Sequence, residues 1–169
     1  MLGGLARWLR VAGHDAAWRT NIDYWDLVRQ ARTEGRMLLT CDTGIFRIGI
    51  VRDGDVSGLL VPHGLKKREQ FRWVMERLQL APRDPLCMAC GGTLVEVPKE
   101  SVKVIAPPRS YAWLDRFFLC ARCQKLFWQG THWEEIVQCA EAALSLPPDS
   151  RTPREAQIPL HPKPRSAYG

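Results

Sequence analysis

No stretch of this 169-residue chain approaches the roughly 20 consecutive apolar residues that cross a bilayer. A membrane-spanning helix is therefore not expected. The N-terminal segment also lacks the marks of an export signal: Arg7 and Arg10 interrupt it, and no small-residue cleavage site follows. The expectation is a cytoplasmic protein. Internal repeats are missing too, and acidic residues are in deficit, 18 Asp plus Glu against 24 Lys plus Arg, for a net charge of +6. That excess suits a polyanionic partner without establishing one, because many basic proteins bind no nucleic acid. What remains, 46% hydrophobic and 25% charged residues, is the composition of a packed soluble chain with one medium domain or two small ones.

The six cysteines are not scattered. Cys87 and Cys90 form C-M-A-C, Cys120 and Cys123 form C-A-R-C, and Cys41 and Cys139 stand apart. Each C-x-x-C pair makes a tight knuckle, and two knuckles complete the four-thiolate shell that tetrahedral Zn²⁺ accepts, a closed structural site. The alternative is a pair of redox dithiols, but those open a helix in a βαβ unit. Here Gly91, Gly92 and Gln124 follow in turn-like sequence. The 29 residues between the knuckles exceed the usual spacing of a compact site, so they must carry structure of their own. Thr93–Val97 and Ser101–Ile105 read as two short strands.

Upstream, apolar periodicity predicts a first helix over 2–12, with Leu2, Leu5, Leu9 and Ala12 on one face, Arg7, Arg10 and Val11 on the other, and Gly13 as its left-handed cap. Ala16–Thr20 is a strand candidate. A second helix is expected from Asp23 to about Glu34, stopped by Gly35, followed by a buried strand Met37–Thr40. After a short irregular or helical stretch and the D-G turn at Asp53 comes a strand Val56–Val61. Residues 65–80 form an amphipathic helix with Lys66, Lys67, Arg68 and Arg72 crowded into its first half. Alternating strands and helices predict a parallel sheet covered by helices. The expected division is 1–82, a zinc module at 83–145 ending in a helix around Trp133–Leu144, and a disordered Pro-rich tail at 146–169.

In an open parallel sheet, reactive groups collect beyond the carboxyl ends of the strands. Asp42, two residues past the Met37–Thr40 strand, and Asp23, just after the Ala16–Thr20 strand candidate at the entrance to the second helix, both fall there. Paired carboxylates bind Mg²⁺ or Mn²⁺, which orient water and stabilise charge on a phosphodiester. Asp23 with Asp26 is equally a good helix cap, and Asp42 before Thr43 and Gly44 a good turn residue. Asp53 and Asp55, at the amino end of their strand, read as turn residues. Arg7, Arg10 and the Lys66–Arg72 cluster could bind phosphates, or simply form a solvated surface. The aromatics Phe117, Phe118, Phe127, Trp128 and Trp133 around the second knuckle could stack bases or form a small core. His132 is expected to be a hydrogen-bonded structural side chain.

The blocks M-L-G-G-L-A-R-W-L-R from Met1, G-H-D from Gly13, E-G-R-M-L-L-T-C-D ending at Asp42, C-M-A-C, V-P-K-E from Val97, A-P-P from Ala106, F-F-L-C-A-R-C from Phe117 and F-W-Q-G-T-H-W from Phe127 resemble the Mut-seven C-terminal RNase domain family over about residues 1–140. The resemblance implies an α/β architecture, a PIN-like parallel sheet flanked by helices followed by a small β-rich zinc ribbon. It implies a metal-dependent ribonuclease in which Asp42 and Asp23 hold Mg²⁺ or Mn²⁺ and the cysteines hold structural Zn²⁺. RNA, held by Arg7, Arg10, Lys66, Lys67, Arg68 and Arg72, is the expected partner. The chain also departs from the family. Members begin with an aspartate-bearing strand just before M-L-G, which is missing ahead of Met1, and the family's basic residues are replaced by Gly4, Cys41 and Thr43. Either the start of the chain is placed too late or the protein is a degenerate relative, and the competing expectation is a catalytically degenerate RNA-binding or ribosome-associated zinc-ribbon protein.

Overall fold

The computed structural model describes residues 2–144. The expected disordered tail at 146–169 lies outside the described residues. The chain packs as two compact units, Arg19–Leu65 and a second made of Gly3–Trp18 together with the described residues from Lys66 on. Among the described residues, no helix is long and apolar enough to cross a membrane. The architecture is mixed α/β, with one small parallel sheet and one antiparallel sheet.

The Arg19–Leu65 unit opens with α2 (Tyr24–Glu34), numbered after α1 of the other unit. The Asp23 carboxylate accepts from the Asp26 N–H at 2.9 Å, satisfying one donor that a helix start leaves without an intrahelical partner. At the other end Gly35 turns left-handed at φ 62°. The Arg36 N–H then closes back onto the Ala31 carbonyl at 2.8 Å, and glycine accepts that backbone without the Cβ penalty. Val28 and Ala31 face inward from α2 and are buried. They share a core with Leu38, Ile45, Val51 and Val56.

Over that core lie β1 (Leu38–Thr40) and β2 (Gly58–Leu60), paired in parallel with Leu38 opposite Gly58 and Thr40 opposite Leu60. A 3₁₀ turn (Thr43–Arg47) and α3 (Gly49–Arg52) connect the two strands. The expected D-G turn is present, with Gly54 at φ 86°.

In the second unit α1 (Gly3–Val11) packs on α4 (Lys67–Arg77) and α5 (Thr131–Leu144). The Trp8 and Phe71 rings meet edge to face at 5.3 Å, an arrangement their quadrupoles favour. Phe71 is fully buried. Gly13 ends α1 as expected, at φ 86°. A Cβ there would stand 2.5 Å from the Arg83 Cβ, so both backbone conformation and close approach require glycine.

The remainder is a three-stranded antiparallel sheet, β3 (Leu94–Val97), β4 (Phe117–Cys120) and β5 (Leu126–Trp128), in that order. Its small core holds Val102, Ala106 and Phe117. Phe118 stacks on Trp133 at 6.1 Å, so these aromatics act in packing.

Three expectations are corrected. Ala16–Thr20 forms no strand: the Ala16 carbonyl accepts from the Arg10 guanidinium at 2.7 Å instead of entering a ladder, so Asp23 stands at a helix entrance and not beyond a strand end. Ser101–Ile105 is not a strand either. Lys99–Val102 is a 3₁₀ turn, and the Ala106 N–H bonds the Val102 carbonyl at 2.8 Å. The buried residues there, Val102 and Ala106, are four apart, and Val104 is 96% exposed. Finally, Arg10 and Val11 are not on an exposed face; both are buried.

Candidate functional site

The candidate residues fall into two groups, one in each unit. The first is built by the knuckles. Cys87–Cys90 precedes β3, tied to it by the Leu86–Thr93 bridge; Cys120–Cys123 turns the chain from β4 into β5. After each second cysteine the backbone turns left-handed, at Gly91 (φ 77°) and Gln124 (φ 58°). This curls the loop so that its N–H groups point at sulfur: Gly92 N–H to Cys90 Sγ at 3.4 Å, and Cys123 N–H to Cys120 Sγ at 3.4 Å.

The four sulfurs all lie within 4.8 Å of one another. Cys87 and Cys123 are 3.6 Å apart and Cys90 and Cys120 3.4 Å. Tetrahedral zinc with bonds of about 2.3 Å sets its sulfurs about 3.8 Å apart, so the donor set fits. The six cysteines are all free thiols, and these four form a cluster able to hold a metal ion such as zinc. Burial pushes the Cys87 thiol up to about 12. Burial acts in the same direction on Cys120, but the N–H groups of Cys123 and Arg122 stabilise its thiolate and bring it down to about 6.

Arg10 belongs to this cluster, which overturns its place among surface phosphate ligands. It is only 6% exposed. Its Nη1 donates to the Met88 carbonyl at 3.1 Å and the Ala89 carbonyl at 2.9 Å, the two residues inside the first knuckle. Burial lowers its pKa, while the neighbouring Cys87, Cys90 and Asp15 act to raise it. Arg122 adds a bond from Nη1 to the Cys90 carbonyl at 3.1 Å. Two cations thus flank a site that, as four thiolates around a dication, carries net negative charge.

The second constellation lies in the Arg19–Leu65 unit. Asp42 follows β1 and caps the 3₁₀ turn, its Oδ1 accepting from the Gly44 N–H at 2.7 Å. The Tyr24 hydroxyl donates to Asp42 Oδ2. This bond brings the first residue of α2 onto the carboxyl end of β1, and Tyr24 is the residue after Asp23. Asp23 is exposed. The N–H of Asp26 holds its carboxyl below the usual range, with smaller help from Arg29. Both aspartates therefore fill the cap and turn roles that spacing allowed. Among the described residues, the four cysteines are the only group of three or more Cys, His, Asp or Glu side chains close enough to share one ion.

The remaining sequence candidates are exposed: Arg7, Lys66, Lys67, Arg68 and Arg72. Lys67 lies with its Nζ 4.9 Å from the Trp8 ring centre. Arg72 pairs with Glu76 at 2.7 Å and Arg68 approaches Glu135 at 3.8 Å. The Lys66 N–H is taken by Glu69 at 2.7 Å, capping α4. The side chain of His132 lies outside the described ones. Sequence reading missed Tyr24 and the role of Arg10. Adjacency to Asp23 was the only signal for the first, and nothing local signalled the second.

Comparison with protein families finds a match to the Mut7-C RNAse domain over residues 1–140. Comparisons with curated proteins and with solved structures find none. The matched span contains both aspartates and all four clustered cysteines, and it points to a nuclease role with RNA as substrate. On that span the chain belongs to the Mut7-C RNAse domain family.

Proposed function

We propose that the protein is a PIN-like, metal-dependent ribonuclease that hydrolyses RNA phosphodiester bonds at the Asp23–Asp42 rim, with a zinc ribbon as a structural module that aids RNA binding. The observation that carries this reading is the Tyr24–Asp42 hydrogen bond, which joins the start of α2 to the end of β1. In a parallel sheet that rim is where functional groups gather.

The donors suit a hard cation. Mg²⁺ takes one or two protein carboxylates and completes its shell with water and substrate phosphate, so a pair of acids without a third is a sufficient protein contribution. A carboxylate oxygen accepts more than one bond, and the cap bonds therefore leave lone pairs for a metal. When bound, a divalent ion supplies Lewis-acid activation of the phosphate and a more acidic water.

The chain's own part is positioning. The Gly44 N–H and the Tyr24 hydroxyl fix the two oxygens of Asp42, and the Asp26 N–H fixes Asp23. Such preorganisation is worth several kcal/mol of a hydrolytic barrier. The exposed cations of α4 offer sequence-independent attraction for a phosphate backbone.

At the ribbon, zinc has no open coordination position once four thiolates bind, which makes it structural. The test is cleavage of single-stranded RNA by the full chain with Mg²⁺ or Mn²⁺. Asp42→Asn should lower the rate by about 100-fold or more while leaving the thermal midpoint nearly unchanged. Cleavage without a divalent ion overturns the mechanism. RNA binding without cleavage under every metal condition transfers the assignment to a non-catalytic RNA-binding protein.

A further inference from the structure

We infer that the groove between α2 and α3 is a seat for one unpaired nucleobase with its phosphate, a contact for single-stranded RNA beside the Asp42 rim. Residues 25, 28, 29 and 32 recur on one stripe of α2, at the i, i+3, i+4, i+7 spacing. Together with Ile48 and Ile50 they line a cavity of about 290 Å³. That volume lies at the lower limit for small-molecule sites, suited to a fragment of the size of a single base.

The lining is unusual for a surface dent. Val28 is 3% exposed, one turn from Trp25, which is 66% exposed. An indole left so far in water beside an apolar cavity offers a stacking face, and stacking is the sequence-tolerant way in which proteins hold unpaired bases. Two cations accompany it. Arg29 is paired with Asp26 at 2.9 Å, an exposed pair of the kind that contributes little by itself. The Arg32 guanidinium makes no ion pair or side-chain hydrogen bond among the described residues. An apolar peptide would leave that charge uncompensated. A nucleotide answers both features, its base facing the indole and its phosphate facing the guanidinium.

Trp25 is also next to Tyr24, whose hydroxyl reaches Asp42. A strand seated here would run past the proposed rim. The inference rests on the RNA reading given above, and it adds a residue-level binding site that α4 does not supply.

The test is fluorescence-anisotropy titration of the full, zinc-loaded chain with a 2′-O-methylated oligouridine, which binds without being cut. Trp25→Ala should weaken binding about tenfold or more, and Trp25→Phe should restore most of it, since an aromatic face is what is needed. Arg32→Gln should reduce the slope of log affinity against log salt by about 0.7, the contribution of one phosphate contact on a single strand. Wild-type binding with an unchanged Trp25→Ala affinity overturns the groove and leaves the ribonuclease reading intact. A wild-type chain that binds no RNA overturns both. If Trp25→Ala instead changes the sedimentation coefficient with RNA affinity unaltered, the groove is an interface between copies and the inference fails.

Discussion

The cysteine cluster and the proposed aspartate rim both draw on short loops, yet they are finished to different degrees. The cysteine site is closed. Cys87 and Cys120 are fully buried, the backbone N–H groups already point at sulfur, and Arg10 braces the loop from behind. Everything a structural metal requires is supplied by the chain. At the rim Asp23 is exposed, each aspartate is occupied in part by a cap, and no third acid joins them among the described residues. A site meant to accept and release substrate has to stay open, whereas one meant to hold a fold does not. On the proposed reading, the contrast gives stability to one unit and chemistry to the other.

The largest effect that would test this contrast is Cys120→Ser. Structural zinc contributes roughly 10 kcal/mol or more of apparent binding energy in small modules. The variant should lose its zinc by elemental analysis and the ribbon should unfold by circular dichroism. Retention of one equivalent of zinc contradicts the four-thiolate shell.

Next is Arg10→Met, which removes a buried cation and leaves the Ala16, Met88 and Ala89 carbonyls without their donor. A loss of about 3 kcal/mol in urea unfolding is expected, together with faster zinc loss to a chelator. A surface arginine substituted in the same way would cost almost nothing, so a null result would return Arg10 to the surface.

Smaller still is the effect of pH on zinc affinity. Zinc takes thiolates, so every protonated ligand must release a proton on binding. Cys87, held up to about 12 by burial, releases one across the whole neutral range. Cys120, at about 6, releases one only in more acidic solution. Affinity should rise with pH, and its slope should be steeper by one proton below about pH 6. Chelator competition between about pH 5 and pH 8 reads this directly; an unchanging slope contradicts the ionised Cys120.

The smallest effect is expected at the tyrosine beside Asp42. Tyr24→Phe deletes one hydrogen bond to Asp42 and nothing else, for about 1 kcal/mol. Cleavage should slow by about fivefold with zinc content unchanged. A variant as fast as wild type would show that the phenol does not position the carboxylate.

The same contrast explains how far the sequence could be read. Cysteine spacing is a local signal, and it marks all four ligands because a knuckle needs only a few residues. The caps of α2 were equally legible: Asp23 and Gly35 act on their own turn of backbone, and both stand where they were expected. Long-range partners were not. The carbonyls that bury Arg10 lie 78 and 79 residues away, and an arginine on a short helix looks solvated until its acceptors are known. The failed strand at Ser101–Ile105 has a related cause. Val102 and Val104 stand two apart as in a strand, but the buried pair is Val102 and Ala106, four apart as in a helical turn. Asp42 was legible from the end of β1, whereas Asp23 follows no strand and was legible only as a helix cap; the Tyr24 bond to Asp42 depends on tertiary packing, which no local pattern reports.

The claim on which the account turns is that Asp23 and Asp42 serve one divalent ion. Substoichiometric Mn²⁺ added to the zinc-loaded, isotope-labelled protein broadens the amide signals of residues near the ion. The account predicts that the signals of Asp23–Asp26 and of Asp42–Gly44 broaden together, at the same Mn²⁺ concentration, and that Asp42→Asn abolishes both. Broadening of one segment without the other, or of neither, would contradict it.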